Sequence, residues 1–311
     1  MPELCLFTIP KAFTGHVGLI QRNAIRSWMR LGSSVEIVLC GDDAGVEATA
    51  RSFGIDWSGP LARNEHGTPL LSDAFVKILQ RTEAPLLAFS NADILLPLNF
   101  VKVCGAVARD RRDFLLAGEC RELRVERELD CEEGMERAFL RARGEGISRG
   151  DAAIDYFVFP PRLVEGFPEM AVGRGAWDNY FLYRARSLGF DLIDASESVN
   201  AVHQSHDYRH HSGGKQGAYR GNEYELHAQI LGSKEREFRL VNATHLVRDG
   251  KLQPACDTRH WKRFYRTEAV LRPEKRRRYR AAWKTIKILA RIAPSVERML
   301  ESRWRRRRQI Q

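Results

Sequence analysis

The nine residues Leu86-Leu87-Ala88-Phe89-Ser90-Asn91-Ala92-Asp93-Ile94 constrain this chain more than any other stretch. An apolar run of strand length ends in a short polar step closed by a carboxylate. A continuous apolar run of that length reads as a strand covered on both faces, the situation inside an α/β sheet. Open α/β sheets bind their ligands outside the carboxyl ends of such strands. A carboxylate at that rim is a hard oxygen donor, suited to holding Mg²⁺ or Mn²⁺ against phosphate oxygens. Taken alone, a turn or helix cap explains the polar step equally well, since Asn and Asp favour both.

What precedes the step gives it a setting. Residues 4–9 read as a first buried strand closed by Pro10, and 17–31 as a helix with Ile20, Ala24, Trp28 and Leu31 along one face. Residues 35–39 form a second strand and 45–53 a second helix. Strand and helix in alternation imply right-handed crossovers and parallel pairing. Residues 56–69, punctuated by Gly59, Pro60, Gly67 and Pro69, read as a loop, and 70–79 as a third helix. Beyond the step, 100–107 is helical, 113–117 and 155–160 are strands, 177–188 is a helix and 191–194 a strand. The charge-dense residues 121–150 read as an insertion without assigned structure. Asp249-Gly250 marks a hairpin within 244–252. The fold class expected is α/β, a Rossmann-type mixed sheet flanked by helices and followed by a basic helical tail. The expected division is a catalytic unit over 1–267, with halves 1–95 and 96–267, and a tail over 268–311.

Charge is concentrated in that tail. Residues 272–311 hold 15 Lys or Arg and 3 Glu, a net of +12, against +10 for the whole chain. The remainder is therefore 10 − 12 = −2, which argues against a nucleic-acid groove across the body. Trp283, Ile286, Leu289, Ile292, Leu300 and Trp304 follow a helical period there, interrupted by Pro294. A basic helix with an apolar face reads as binding an anionic membrane surface. The six cysteines form no C-x-x-C pair, and residues 1–5 show no basic region ahead of an apolar one. The expectation is a reduced cytoplasmic protein, peripheral at the inner face of a membrane.

Three further segments carry chemistry. Gly173-Arg174-Gly175-Ala176-Trp177-Asp178-Asn179 sets an acid at the start of a helix, where it could accept a proton from a hydroxyl. A plain helix cap is the competing reading. His203-Gln204-Ser205-His206-Asp207-Tyr208-Arg209-His210-His211 mixes imidazole and carboxylate, as transition-metal sites do. A solvated loop is its competitor, favoured for His210 and His211. Gly213-Gly214-Lys215-Gln216-Gly217 could close over a diphosphate, although it lacks the P-loop spacing.

In this order the pieces resemble GT-A glycosyltransferases over roughly the first 220 residues. Asn91-Ala92-Asp93 stands where those enzymes have a D-x-D metal step, Asp178 where inverting members have their base, and His203 where a late metal-binding histidine falls. The resemblance implies a nucleotide-diphosphate sugar donor, a glycan or lipid-linked acceptor, and Mn²⁺ or Mg²⁺ held by Asp93 and His203. By the same resemblance the end of the first strand, Thr8 to Lys11 with Pro10, contacts the donor, together with Asp42 or Asp43, Arg22, Asp73, Asn91, Asp93 and Lys215. Asp155, Tyr156, Arg174, Trp177 and Asn179 contact the acceptor. The sequence departs from the pattern at Asn91, which leaves Asp93 as the strong ligand, and in Trp177-Asp178-Asn179, where the family has Glu-Asp. Two alternatives stay open. One is a metallohydrolase built on His203, His206, Asp207 and His210. The other is a non-enzymatic nucleic-acid or membrane adaptor led by the tail.

Overall fold

The computed structural model describes residues 2–205 and 221–309. The chain opens β1 (Leu4–Thr8), α1 (Gly15–Met29), β2 (Val35–Cys40), α2 (Val46–Phe53), β3 (Asp56–Ser58), α3 (Leu71–Arg81) and β4 (Leu86–Ser90). β1 pairs in parallel with both β2 and β4, and β2 with β3. Every residue of β1 is buried, as its unbroken apolar run implies. The loop expected over 56–69 contains β3, a three-residue edge strand too short to show a period.

Next come β5 (Ile94–Leu95), α4 (Phe100–Asp110), β6 (Phe114–Glu119), β7 (Arg121–Leu123), α5 (Glu132–Glu145) and β8 (Ile147–Ser148). They are followed by β9 (Ile154–Phe159), α6 (Trp177–Ser187), β10 (Asp191–Asp194), β11 (Val202–Gln204), β12 (His245–Arg248) and β13 (Lys251–Pro254). The main sheet has nine strands in the order β13-β12-β10-β6-β9-β4-β1-β2-β3. β9 runs antiparallel to both β4 and β6, which makes the sheet mixed. A second sheet, β5-β11-β7-β8, lies beside it. Residues 121–150, which showed no legible period, supply β7, α5 and β8.

Two apolar layers cover the main sheet. On one side Phe75 of α3 meets Phe7, Phe159 and Phe167 edge to face at 4.9–5.9 Å, and α6 adds Trp177 and Phe181. On the other, Trp28 of α1 and Phe100 of α4 pack with Tyr156 and Val158. Alternation along β9 therefore sends Phe157 and Phe159 to one layer and Tyr156 and Val158 to the other.

The helix Thr258–Leu271 runs through the boundary placed after residue 267. Helices Arg276–Ile292 and Pro294–Gln309 pack back onto it, burying Ile286 and Trp304 beside Trp261. Trp283 is flanked by Arg266 and Lys287 at 5.4 and 5.3 Å. Much of the apolar face read as a membrane anchor is thus used inside the protein. No helix among the described residues is long and apolar enough to cross a membrane.

Gly118 of β6 is held to its size by this packing. A Cβ built there would lie 1.9 Å from the Tyr156 hydroxyl oxygen. That hydroxyl is buried and has no hydrogen-bond partner among the described residues. Gly118→Ala is expected to cost about 1–3 kcal/mol through overpacking, and Tyr156→Phe to recover part of it. Urea unfolding of the two single variants and the double variant measures the coupling.

Candidate active site

Strands β1 and β4 end at the same rim, so the segments that follow them meet there. Pro10 and Lys11 leave β1, and Asn91, Ala92 and Asp93 leave β4. Because β9 is antiparallel, its first residues return to this rim rather than the opposite one. The Asn91 N–H donates to Asp155 O at 2.8 Å, and Asn91 Nδ2 to Asp155 Oδ1 at 2.9 Å. Arg149 closes the other side of the Asp155 carboxylate. The result is a cleft of about 430 Å³ at the sheet's carboxyl edge, where α/β folds place ligands.

The second sheet brings His203 to the same place. β11 pairs antiparallel with β5, with His203 opposite Ile94. His203 Nε2 then lies 3.4 Å from Asp93 Oδ2, and the two side chains are only 8% and 15% exposed. Gln204 fixes the neighbouring backbone. Its Nε2 donates to Ile20 O at 2.8 Å and Asp93 O at 3.1 Å, and its Oε1 accepts from Asn23 Nδ2 at 3.0 Å. Among the described residues, no three His, Cys, Asp or Glu side chains gather as a metal site. Among the described residues, Asp93 and His203 are thus the two candidate ligands beside each other at this point. A carboxylate oxygen and an imidazole nitrogen this close are a donor set that fits one divalent cation.

The facing wall comes from the turn before α6. Ala176 adopts φ 76° without being glycine, a conformation that costs a residue with a side chain roughly 1–2 kcal/mol. The turn sends Trp177 against Phe89 and Phe157, with ring centroids at 5.4 and 5.2 Å, and leaves Asp178 in the cleft. Buried His227 clamps the turn. The Ala171 N–H donates to its Nε2 at 2.8 Å, which leaves Nδ1 as the donor to Gly175 O at 2.9 Å. That tautomer is neutral, and burial accordingly lowers the His227 pKa. Asp178 keeps some contact with the open cleft but is surrounded by protein on its other sides. Desolvation pushes its carboxyl up to about 7, the nearby Asp155 charge adds to this, and the Asn179 N–H at 2.8 Å opposes it.

Pro10, Asn91, Asp93, Asp155, Arg174, Trp177, Asp178 and His203 all line this cleft. Of the other expected contacts, Thr8, Arg22, Asp42, Asp73, Tyr156 and Asn179 do not. Tyr156 points into the opposite core layer, because adjacent residues of a strand face opposite ways. Arg22 binds Glu128 at 2.9 Å, while Val17, Ile20 and Gln21 form the cleft face of α1. One residue along a helix is a rotation of about 100°, which turns Arg22 away from that face. Thr8 is buried at the end of β1. Asp42 is held by Arg63 at 2.7 Å, which lowers its pKa, and Asp43, the expected alternative to it, reaches the cleft with Arg63. Asp73 accepts the Ala62 N–H at 2.8 Å and so pins a loop. Asn179 donates through Nδ2 to Phe238 O at 2.8 Å. Lys215, His206, Asp207, His210 and His211 lie outside the described residues.

Lys11, at the end of the range expected to contact the donor, lines the cleft, and so do Gln21, Thr68 and Arg149, which went unnamed as sites in the sequence. Gln21 grips the backbone of Lys11, accepting its N–H at 2.8 Å and donating to its carbonyl at 2.9 Å. Burial lowers the Lys11 pKa, Asp93 works against that shift, and Arg174 adds to it. Thr68 accepts from Arg174 Nη2 at 2.9 Å, and Arg174 also pairs with Glu223. The helical repeat from Val17 to Gln21 was the available signal for Gln21. For Arg149 there was none. Gln204→Leu is expected to cost about 1–3 kcal/mol by leaving buried partners unmet, and Asp93→Asn to cost less. Urea midpoints of the two variants check that order.

No known family model matches the sequence, and no curated protein does. Solved structures do. The chain is similar to S. aureus TarS in complex with UDP-GlcNAc, at 15% identity and a TM-score of 0.45, covering 66% of this chain and 59% of that one. It is similar to glucosyl-3-phosphoglycerate synthase from Mycobacterium tuberculosis in complex with Mn²⁺, UDP and phosphoglyceric acid. There the identity is 13%, the TM-score 0.46, and the coverage 76% and 78%. A third is the mannosyltransferase PcManGT from Pyrobaculum calidifontis in complex with GDP-Man and Mn²⁺, at 13% and 0.37, covering 63% and 55%. The chain spans about three fifths of the length of the TarS 1–349 structures it matches.

Proposed function

We propose that this protein transfers a sugar from a nucleotide-diphosphate donor to an acceptor hydroxyl, with inversion. The observation that carries the proposal is the pairing of Asp93 with His203 in the same cleft as Asp178. The titles of similar structures, with UDP-GlcNAc, GDP-Man and UDP, agree with it.

In this reading Asp93 and His203 hold a divalent cation, and the imidazole favours Mn²⁺ over Mg²⁺. Bound there, the cation neutralises charge on the departing diphosphate. Lys11, Gln21 and the Asn91 turn form the donor side, with Lys11 adding positive charge. Arg174 and Trp177 form the acceptor side. Asp178 takes the proton from the acceptor hydroxyl as its oxygen attacks the anomeric carbon and the bond to the diphosphate breaks. A carboxylate raised to about 7 is a stronger base than one at its ordinary value, and a base works best near the operating pH.

The pH dependence follows from that value. Below about 7 the Asp178 carboxyl is protonated, so kcat/KM falls as pH drops through that region. Ionising the desolvated group also costs stability as pH rises through about 7, because the unfolded chain releases that proton at a lower pH. Asp178→Asn is therefore expected to lose about 10²–10⁴-fold in turnover. It is also expected to melt higher than the parent well above neutrality, and not to do so in acid. Turnover of nucleotide-sugar donors and melting curves across pH test both. An Asp178→Asn variant with full turnover rules out the base assignment.

A further inference from the structure

The C-terminal helices close over the far edge of the main sheet and leave a second cavity there, of about 520 Å³. It shares no lining residue with the Asp93 cleft. Separate segments bring Arg111, Arg186, Arg272, Arg307, Arg308 and His245 to its walls. Two carboxylates answer these five guanidinium groups. Asp191 pairs with Arg111 at 3.0 Å, and Glu268 is shared between Arg186 at 3.5 Å and Arg272 at 2.7 Å. The walls therefore carry an excess of three positive charges, with His245 counted neutral.

Donors are in excess as well as charge. Arg186 Nε, Arg308 Nε and Trp304 Nε1 are buried, with no acceptor among the described residues. A small adjoining cavity shares these three side chains and adds His260, whose Nε2 is also unmet. Trp304 is 9% exposed and His260 3%. Burial disfavours the charge on Arg186, Glu268 and Asp191 offset that, and Arg308 and Arg272 add repulsion. Unmet buried donors are uncommon in folded proteins and costly where they occur. An oxyanion with several acceptor oxygens would meet them together and balance the charge.

We propose that this cavity is a binding site for a phosphate-bearing ligand, with Arg186, Arg308 and Arg111 as its anion contacts. A phosphomonoester or a diphosphate has the acceptor count the walls require, and either a soluble metabolite or a lipid headgroup could present it. The proposal does not rest on the transferase reading, since it uses none of that cleft.

The test is calorimetric titration of the full chain with inorganic pyrophosphate. EDTA is included to suppress metal-dependent binding at the Asp93 cleft. The parent is expected to bind, and Arg308→Gln to bind about tenfold or more weaker, the loss of a charge-assisted contact. Arg308 also donates to Thr244 O at 3.3 Å, so Arg111→Gln, on a different element, is measured beside it. It is expected to weaken binding in the same way, while Lys11→Ala in the other cleft leaves the titration unchanged. Absence of heat in the parent overturns the proposal. So does parent-like binding in both arginine variants, or loss confined to Lys11→Ala. Sedimentation with phosphatidylcholine vesicles doped with phosphatidic acid separates the two sources. Capture that pyrophosphate reverses supports the site with a lipid ligand. Pyrophosphate binding without vesicle capture supports it with a soluble one.

Discussion

His203 lies opposite Ile94 in an antiparallel rung between β11 and β5, and that rung sets the chemistry of the cleft. The two strands are three and two residues long, so they contribute few ladder hydrogen bonds of their own. Their register is held from outside. Trp28 Nε1 donates to Ile94 O at 2.9 Å, and Gln204 ties β11 to α1 and to the Asp93 carbonyl. A shift of one residue would turn His203 to the other face of its sheet and bring Val202 or Gln204 toward Asp93. The buried amide network is therefore what makes an imidazole and a carboxylate neighbours across 110 residues of sequence.

The main sheet supplies the rest of the placement through a single reversal. Had β9 run parallel to β4, Asp155 would begin at the amino edge, far from Asn91. Running antiparallel, it places its first residues against the end of β4, where its carboxylate meets Asn91 and Arg149. The same rim receives the turn before α6, held by neutral His227 and by the left-handed Ala176. Backbone strain of this kind persists only where the surroundings enforce it. Here the enforcing contacts are the stacking of Trp177 on the core and the two hydrogen bonds of His227.

Sequence periodicity reached the strands with unbroken apolar runs and the amphipathic helices, within two residues at most ends. The opening β1 to β4 alternation, the carboxylate step at Asp93 and the acid at the start of α6 were all legible as local patterns. Where side chains point was less legible. Tyr156 and Arg22 were each adjacent to a residue that does line the cleft, and the period of the element turned them away. Arg149 was beyond reach, because β7 and β8 are too short to carry a pattern and half of α5 is charged. Of the tail's apolar set, Ile286, Leu300 and Trp304 turn inward while Ile292 stays exposed. The partner of the inward residues, the helix bearing Trp261, was not apparent, since sequence alone does not say what an amphipathic helix packs against.

In the proposed mechanism Asp93 couples metal binding to diphosphate binding. Thermal unfolding with UDP-, GDP- and dTDP-sugars, with and without Mn²⁺, measures this directly. A ligand at about 100 times its Kd adds roughly 2.7 kcal/mol of stability, well within detection. The account predicts stabilisation by at least one donor that requires Mn²⁺ and disappears in Asp93→Ala. Equal stabilisation of Asp93→Ala, or a flat response across all donors, would contradict it.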